Sequence, residues 1–64
     1  MCLSTVYLEE KKEEAVVVKE AAKVVDKGNK VEIQTLFGEK KLVNDFSIQE
    51  VDLIKNYVVL QKRR

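Results

Sequence analysis

The 64-residue sequence has no histidine, no proline and no tryptophan, and only one cysteine and two glycines. Each shortage excludes something. Without histidine, no Ser-His or Cys-His nucleophilic pair can form within the chain. One cysteine and no histidine can build neither a Cys/His zinc cluster nor an intrachain disulfide. With Gly28 and Gly38 alone, there is no glycine-rich phosphate loop. No proline or low-complexity linker divides the chain, so residues 1–64 read as a single domain. Charge of one sign is also lacking. Twelve Lys and Arg face 11 Asp and Glu, a formal net charge of +1, without the basic excess that nonspecific attraction to nucleic acid would show. No apolar run approaches the roughly 20 residues that span a bilayer. Met1 to Leu8 has no basic n-region, and its apolar stretch is too short for a signal peptide. A lone thiol suits a reducing compartment. The expectation is a cytoplasmic protein without a membrane partner. A domain of this size buries only about 60% of its unfolded surface. With an intrachain disulfide and a Cys/His zinc cluster excluded, self-association is the usual remaining staple, so a homodimer is expected.

What is present is β-rich. Cys2 to Leu8 is β-branched and aromatic, with Leu3, Thr5 and Tyr7 alternating against Cys2, Ser4, Val6 and Leu8, which predicts a strand. Glu9 to Glu14, EEKKEE, reads as a solvated connection. Ala15 to Val25 is ambiguous. Val18, Ala21, Ala22 and Val25 have the helical spacing, and Ala, Glu and Lys favour helix. Val16-Val17-Val18 and Val24-Val25 favour strand. Local pattern alone tips slightly to helix.

The turns carry more information. Gly28-Asn29 between two apolar runs suits a tight hairpin with glycine at its first central position, pairing Val24-Val25 with Val31 to Leu36. Gly38 in LFGEK makes a second reversal into Lys40 to Asn44. Phe46 and Ile48 share one parity and Val51 and Leu53 the other, which predicts a bulge near Gln49-Glu50. Lys55-Asn56 reads as a tight turn, since Asn tolerates positive φ, leading into Tyr57 to Gln61. Short strands at regular intervals predict an all-β fold, a small antiparallel sheet curled into a barrel. The expected core is Leu3, Val6, Leu8, Val17, Val25, Val31, Ile33, Leu36, Phe37, Leu42, Phe46, Ile48, Val51, Leu53, Val58 and Leu60.

Few residues suggest chemistry. Asp52, within the apolar EVDLI, is read as a carboxylate accepting backbone hydrogen bonds at a strand bend. No second titrating partner stands at a spacing suited to acid–base catalysis, so the chain is not read as an enzyme. A binding surface for single-stranded RNA would set exposed aromatics beside basic residues. Lys62, Arg63 and Arg64 could touch phosphates, yet Phe37 and Phe46 read as core and the acidic residues offset the basic ones. Nucleic acid is therefore the alternative partner, not the first. Cys2 is different. A buried packing role is the ordinary one for a free cysteine. At the second position, however, removal of Met1 would expose an α-amine of ordinary pKa about 7.7–8.0 beside a thiol of about 8.5. Deprotonated together, they form a small N,S chelate ring, and a metal favours that deprotonation. If Met1 stays, its amine, the Cys2 amide nitrogen and the thiolate are the donors. One chain offers a single such set, whereas two chains about a two-fold axis offer paired nitrogens and sulfurs. That planar arrangement suits Ni(II) or Cu(II), while thiolates alone also suit Cu(I) or zinc.

Met1-Cys2-Leu3, Thr35-Leu36-Phe37-Gly38-Glu39 and Val51-Asp52-Leu53, followed by a tight turn and a final apolar strand, together resemble the CooT family. These are small nickel-binding accessory proteins associated with maturation of carbon monoxide dehydrogenase. The resemblance covers nearly the whole chain. It implies a β-rich homodimer that holds Ni(II) at its axis through Cys2, with Met1 as the neighbouring donor if retained, and a nickel-enzyme client such as carbon monoxide dehydrogenase. It carries over only Cys2 as ligand and makes LFGE and VDL framework. It also moves Val16 to Val18 to strand, leaving a short helical turn around Glu20 to Lys23. The run EEKKEE is longer than the family pattern, and no His-rich metal-storage tail is present.

Overall fold

A computed structural model of the protein describes residues 3–63. Six strands follow one another: β1 (Ser4–Leu8), β2 (Val16–Asp26), β3 (Lys30–Thr35), β4 (Lys40–Asn44), β5 (Phe46–Asp52) and β6 (Tyr57–Lys62), with one 3₁₀ turn at Glu13–Ala15. They form one sheet in the order β4-β3-β2-β1-β6-β5. All pairings are antiparallel except one. β1 runs parallel to β6, with Thr5 opposite Tyr57 and Leu8 opposite Leu60. The first and last strands thus lie side by side at the middle of the sheet, and the purely antiparallel expectation is corrected there. Parallel pairs are normally covered on both faces, and here Tyr57, Val58, Val59 and Leu60 are all buried in succession.

The outermost strands, β4 and β5, are consecutive in the chain and separated by Asp45 alone, whose φ is +66°. Strands at opposite ends of a sheet can be joined by one residue only if the sheet curls. No ladder joins β4 to β5, so the sheet is open and does not close into the expected barrel.

β2 settles the ambiguous segment as a single 11-residue strand. Its first half pairs with β1, Val18 opposite Val6, and its second half with β3, Val24 opposite Ile33. Pairing on both sides outweighs the modest helical preference of Ala, Glu and Lys. Around Glu20 to Lys23 there is no helical turn. The register with β3 shifts between Ala21 and Lys23 instead, a bulge that bends a long strand. The bulge expected near Gln49-Glu50 is present, between Ile48 opposite Leu60 and Glu50 opposite Val59.

Each reversal has a local cause. Gly28 takes φ +97°, and its N–H donates to the Asp26 carboxylate at 2.9 Å. In the LFGEK turn, the Gly38 N–H donates to the Thr35 carbonyl and the Thr35 N–H to the Glu39 carbonyl. This three-residue loop needs a left-handed residue at its third position, and Gly38 supplies it at φ +88°. Asn56 supplies φ +59° after the Leu53–Lys55 loop.

The core is Val6, Val18, Ala21, Val31, Ile33, Val58 and Leu60, with Leu8, Val17, Val24, Val43, Phe46 and Ile48 packed against it. Leu3 and Val25 are half-buried. Five expected core residues are instead exposed: Leu36, Phe37, Leu42, Val51 and Leu53. All five lie on hairpin tips or on the edge strands β4 and β5, where the curl brings nothing over them. Val18, Ala21, Tyr57 and Val59 are buried although none was in the expected core. The run EEKKEE is exposed but not idle. The Lys11 ammonium sits 4.7 Å from the centre of the Tyr57 ring, and Tyr7 meets Tyr57 edge-on at 6.1 Å.

Candidate functional site

Met1 and Cys2, the expected metal donors, lie outside the described residues, as does Arg64. The structure fixes the framework into which they lead. Leu3 is half-buried, Ser4 faces Ala21 of β2, and the Thr5 N–H donates to the Asn56 carbonyl at 3.1 Å. β1 therefore begins between the middle of β2 and the β5–β6 loop.

That loop is locally organised. One oxygen of Asp52, Oδ1, accepts the N–H groups of Ile54 at 3.0 Å and Lys55 at 2.7 Å. The bond from Lys55, then that from Ile54, and the charges of Lys55 and Lys11 hold the Asp52 carboxyl below its ordinary range. Asp52 is thus a turn-forming carboxylate, as its sequence context implied. The loop it fixes carries Leu53 and Ile54 outward at 82% and 90% exposure, beside Val51 at 49%. A small groove of about 240 Å³ opens next to them, lined by Ser4, Ala22, Val24, Ile48, Val51 and Leu53 among others. Val51, Leu53 and Ile54 thus form an exposed apolar cluster at this end of the sheet.

Among the described residues, no group of three or more His, Cys, Asp or Glu is placed to hold a metal ion. The charged pairs have other roles. Glu32 accepts from Lys27 at 2.7 Å and lies 3.7 Å from Lys40, and the Lys27 contact chiefly lowers its pKa. Burial, reinforced by its hydrogen bond to Glu50, pushes the Tyr57 hydroxyl pKa up.

The surface for the alternative partner is divided. Arg63 turns inward, its Nη2 donating to the Phe46 carbonyl at 3.0 Å and to Asp26 at 3.3 Å. It ties the end of β6 to β5 and β2, so it is engaged within the fold. Phe46 packs on the core. Phe37 does not; it is 76% exposed. Its position at the tip of a hairpin was the available signal that it would not be covered.

The described residues form a small, curled β-sheet with an organised apolar loop beside its first strand. The family model described as CO dehydrogenase accessory protein CooT matches residues 1–61. The chain belongs to the CooT family. A solved structure described as CooT from Carboxydothermus hydrogenoformans is similar in fold, with a TM-score of 0.79, 16% identity, and coverage of 98% of this chain and 100% of that one. No curated protein matches the chain. No helix among the described residues is long and apolar enough to cross a membrane.

Proposed function

We propose that the protein is a small Ni(II)-binding accessory protein acting as a homodimer. Each chain contributes the Cys2 thiolate and a nitrogen, either the terminal amine or, if Met1 is retained, the amide of Cys2 with the Met1 amine. The ion is cargo, passed to a nickel-enzyme client such as carbon monoxide dehydrogenase, and the chain performs no reaction on it. The observation that carries this reading is the CooT match, whose span of residues 1–61 includes both donors. The chemistry agrees. One thiolate and one nitrogen leave a divalent ion half-coordinated, and a second copy supplies a matching pair in the planar arrangement that nickel accepts. The exposed side chains of Val51, Leu53 and Ile54 beside the start of β1 give a second copy apolar surface to cover. The test is nickel binding by the reduced chain and by Cys2→Ser. Loss of tight binding in the variant, with its fold retained, supports the reading; equal binding by the variant refutes it.

A further inference from the structure

β3 accompanies β2 only part of the way. Their pairing runs from Asp26 opposite Val31 to Ala21 opposite Thr35, with a last hydrogen bond from the Leu36 N–H to the Glu20 carbonyl. Before that point, β2 is paired with β1 alone, Val18 opposite Val6 and Val16 opposite Tyr7. Among the described residues, the other edge of residues 16–19 has no strand beside it, although β2 is an interior strand of the sheet. Unpaired backbone along a strand edge is a template for another strand. Here it is exposed inside a gap rather than at an outer rim.

The gap is a groove of about 690 Å³, bounded on one side by Val17 and Lys19 and on the other by Phe37, Lys40 and Lys41 of the β3–β4 hairpin. Phe37 is held there by its turn: the Thr35 hydroxyl accepts the Glu39 N–H at 3.2 Å, and Gly38 closes the loop. A large apolar ring is thus fixed in water on the wall of an open strand slot. Glu20 and Glu39 also border the groove, so its three lysines exceed its carboxylates by one. Pairing of this edge with its own copy would set two grooves of the same net positive sign together, a charge mismatch that disfavours it. An acidic partner meets no such penalty.

We infer that this groove receives an extended, acidic segment of a partner protein, which adds as a strand to residues 16–19 of β2. Main-chain hydrogen bonds supply affinity and alternate side chains supply specificity, as in strand addition generally. An apolar side chain of the segment lies against Phe37, and its carboxylates face Lys19, Lys40 and Lys41. The site stands on the strand edge and its surroundings and does not depend on what Cys2 binds.

The experiment is a titration of the full-length chain, followed by amide NMR, with a capped peptide of alternating Val and Glu and with its Val and Lys counterpart. The acidic peptide should shift the amides of residues 16–19 and of the hairpin tip, and should slow hydrogen exchange between Val17 and Lys19. Phe37→Ala, and separately the pair Lys40→Glu with Lys41→Glu, should each weaken binding about tenfold or more while leaving the dispersed spectrum of the folded chain intact. Added salt should weaken the acidic complex. Absence of binding, equal binding of the basic peptide, or shifts confined to other surfaces would overturn the inference. So would concentration-dependent broadening of the same amides without peptide, which would assign the edge to a second copy.

Discussion

The Asp52 carboxylate accepts the Lys55 N–H at 2.7 Å, and this bond shapes the loop that presents Leu53 and Ile54 to solvent. Because hydrogen bonds to the charged form lower a carboxyl pKa, Asp52 and Glu32 both titrate below their ordinary values in the folded chain. For a depressed carboxyl, the stabilisation is fully present above the unfolded pKa, about 3.9 for Asp and 4.3 for Glu. It is lost as pH falls through the folded value. Thermal stability should therefore be level near neutrality and fall below about pH 4. The pair Asp52→Asn with Glu32→Gln should flatten that acid limb, measured by circular dichroism melting across pH. An unchanged acid limb would contradict the assignment.

Burial separates two classes of apolar residue. Ile33 and Leu60 are fully buried, so truncation of either to Ala should cost about 2–5 kcal/mol through lost packing and the cavity left behind. Leu53→Ala, at an 82% exposed position, should stay within about 0.5 kcal/mol in the monomeric state. Urea denaturation at low protein concentration checks both values.

Gly38 isolates a backbone effect. Its φ is +88°, and a Cβ added there would meet no atom within 4 Å. Gly38→Ala should therefore destabilise by about 1–2 kcal/mol from left-handed strain alone. Gly38→Asn should cost less, because Asn tolerates that region better.

The proposed dimer makes its own prediction. Leu53→Lys with Ile54→Lys places two charges on the apolar loop without touching the core. The variant should sediment as a monomer at concentrations where the unmodified chain is dimeric, and its nickel stoichiometry should no longer be one ion per two chains. A variant that remains dimeric would move the interface elsewhere while leaving the metal reading in place.

Much of this architecture was legible in the residues, for physical reasons. Turns are local, so Gly28, Gly38 and Asn56 announced themselves through the conformations they tolerate. The switch of apolar parity between Ile48 and Val51 exposed a bulge, since strand side chains alternate strictly. Two features were not legible. One is the continuous strand through Lys19 to Lys23, where Ala, Glu and Lys favour helix and pairing with β1 and β3 overrides them, although Val24-Val25 was readable as strand from the Gly28 turn. The parallel β1–β6 contact joins the two ends of the chain, and no local pattern encodes it. That same contact buries Tyr57 and Val59, whereas Phe37 and Leu53, apolar and therefore assigned to the core, sit on tips beyond the curl. Around the start of β1, the strand itself and the turn at Asn56 followed from local pattern, whereas the contact between them, Thr5 N–H to the Asn56 carbonyl, did not. Cys2 itself was singled out by its chemistry and by family resemblance.

The most direct test of the central claim is an anaerobic nickel titration of the reduced protein, read by ultraviolet-visible absorbance, with mass spectrometry establishing whether Met1 is present. Thiolate-to-nickel charge-transfer bands should saturate at one ion per two chains and be absent from Cys2→Ser. Featureless spectra with a freely reactive thiol, or the same bands in Cys2→Ser, would contradict the account.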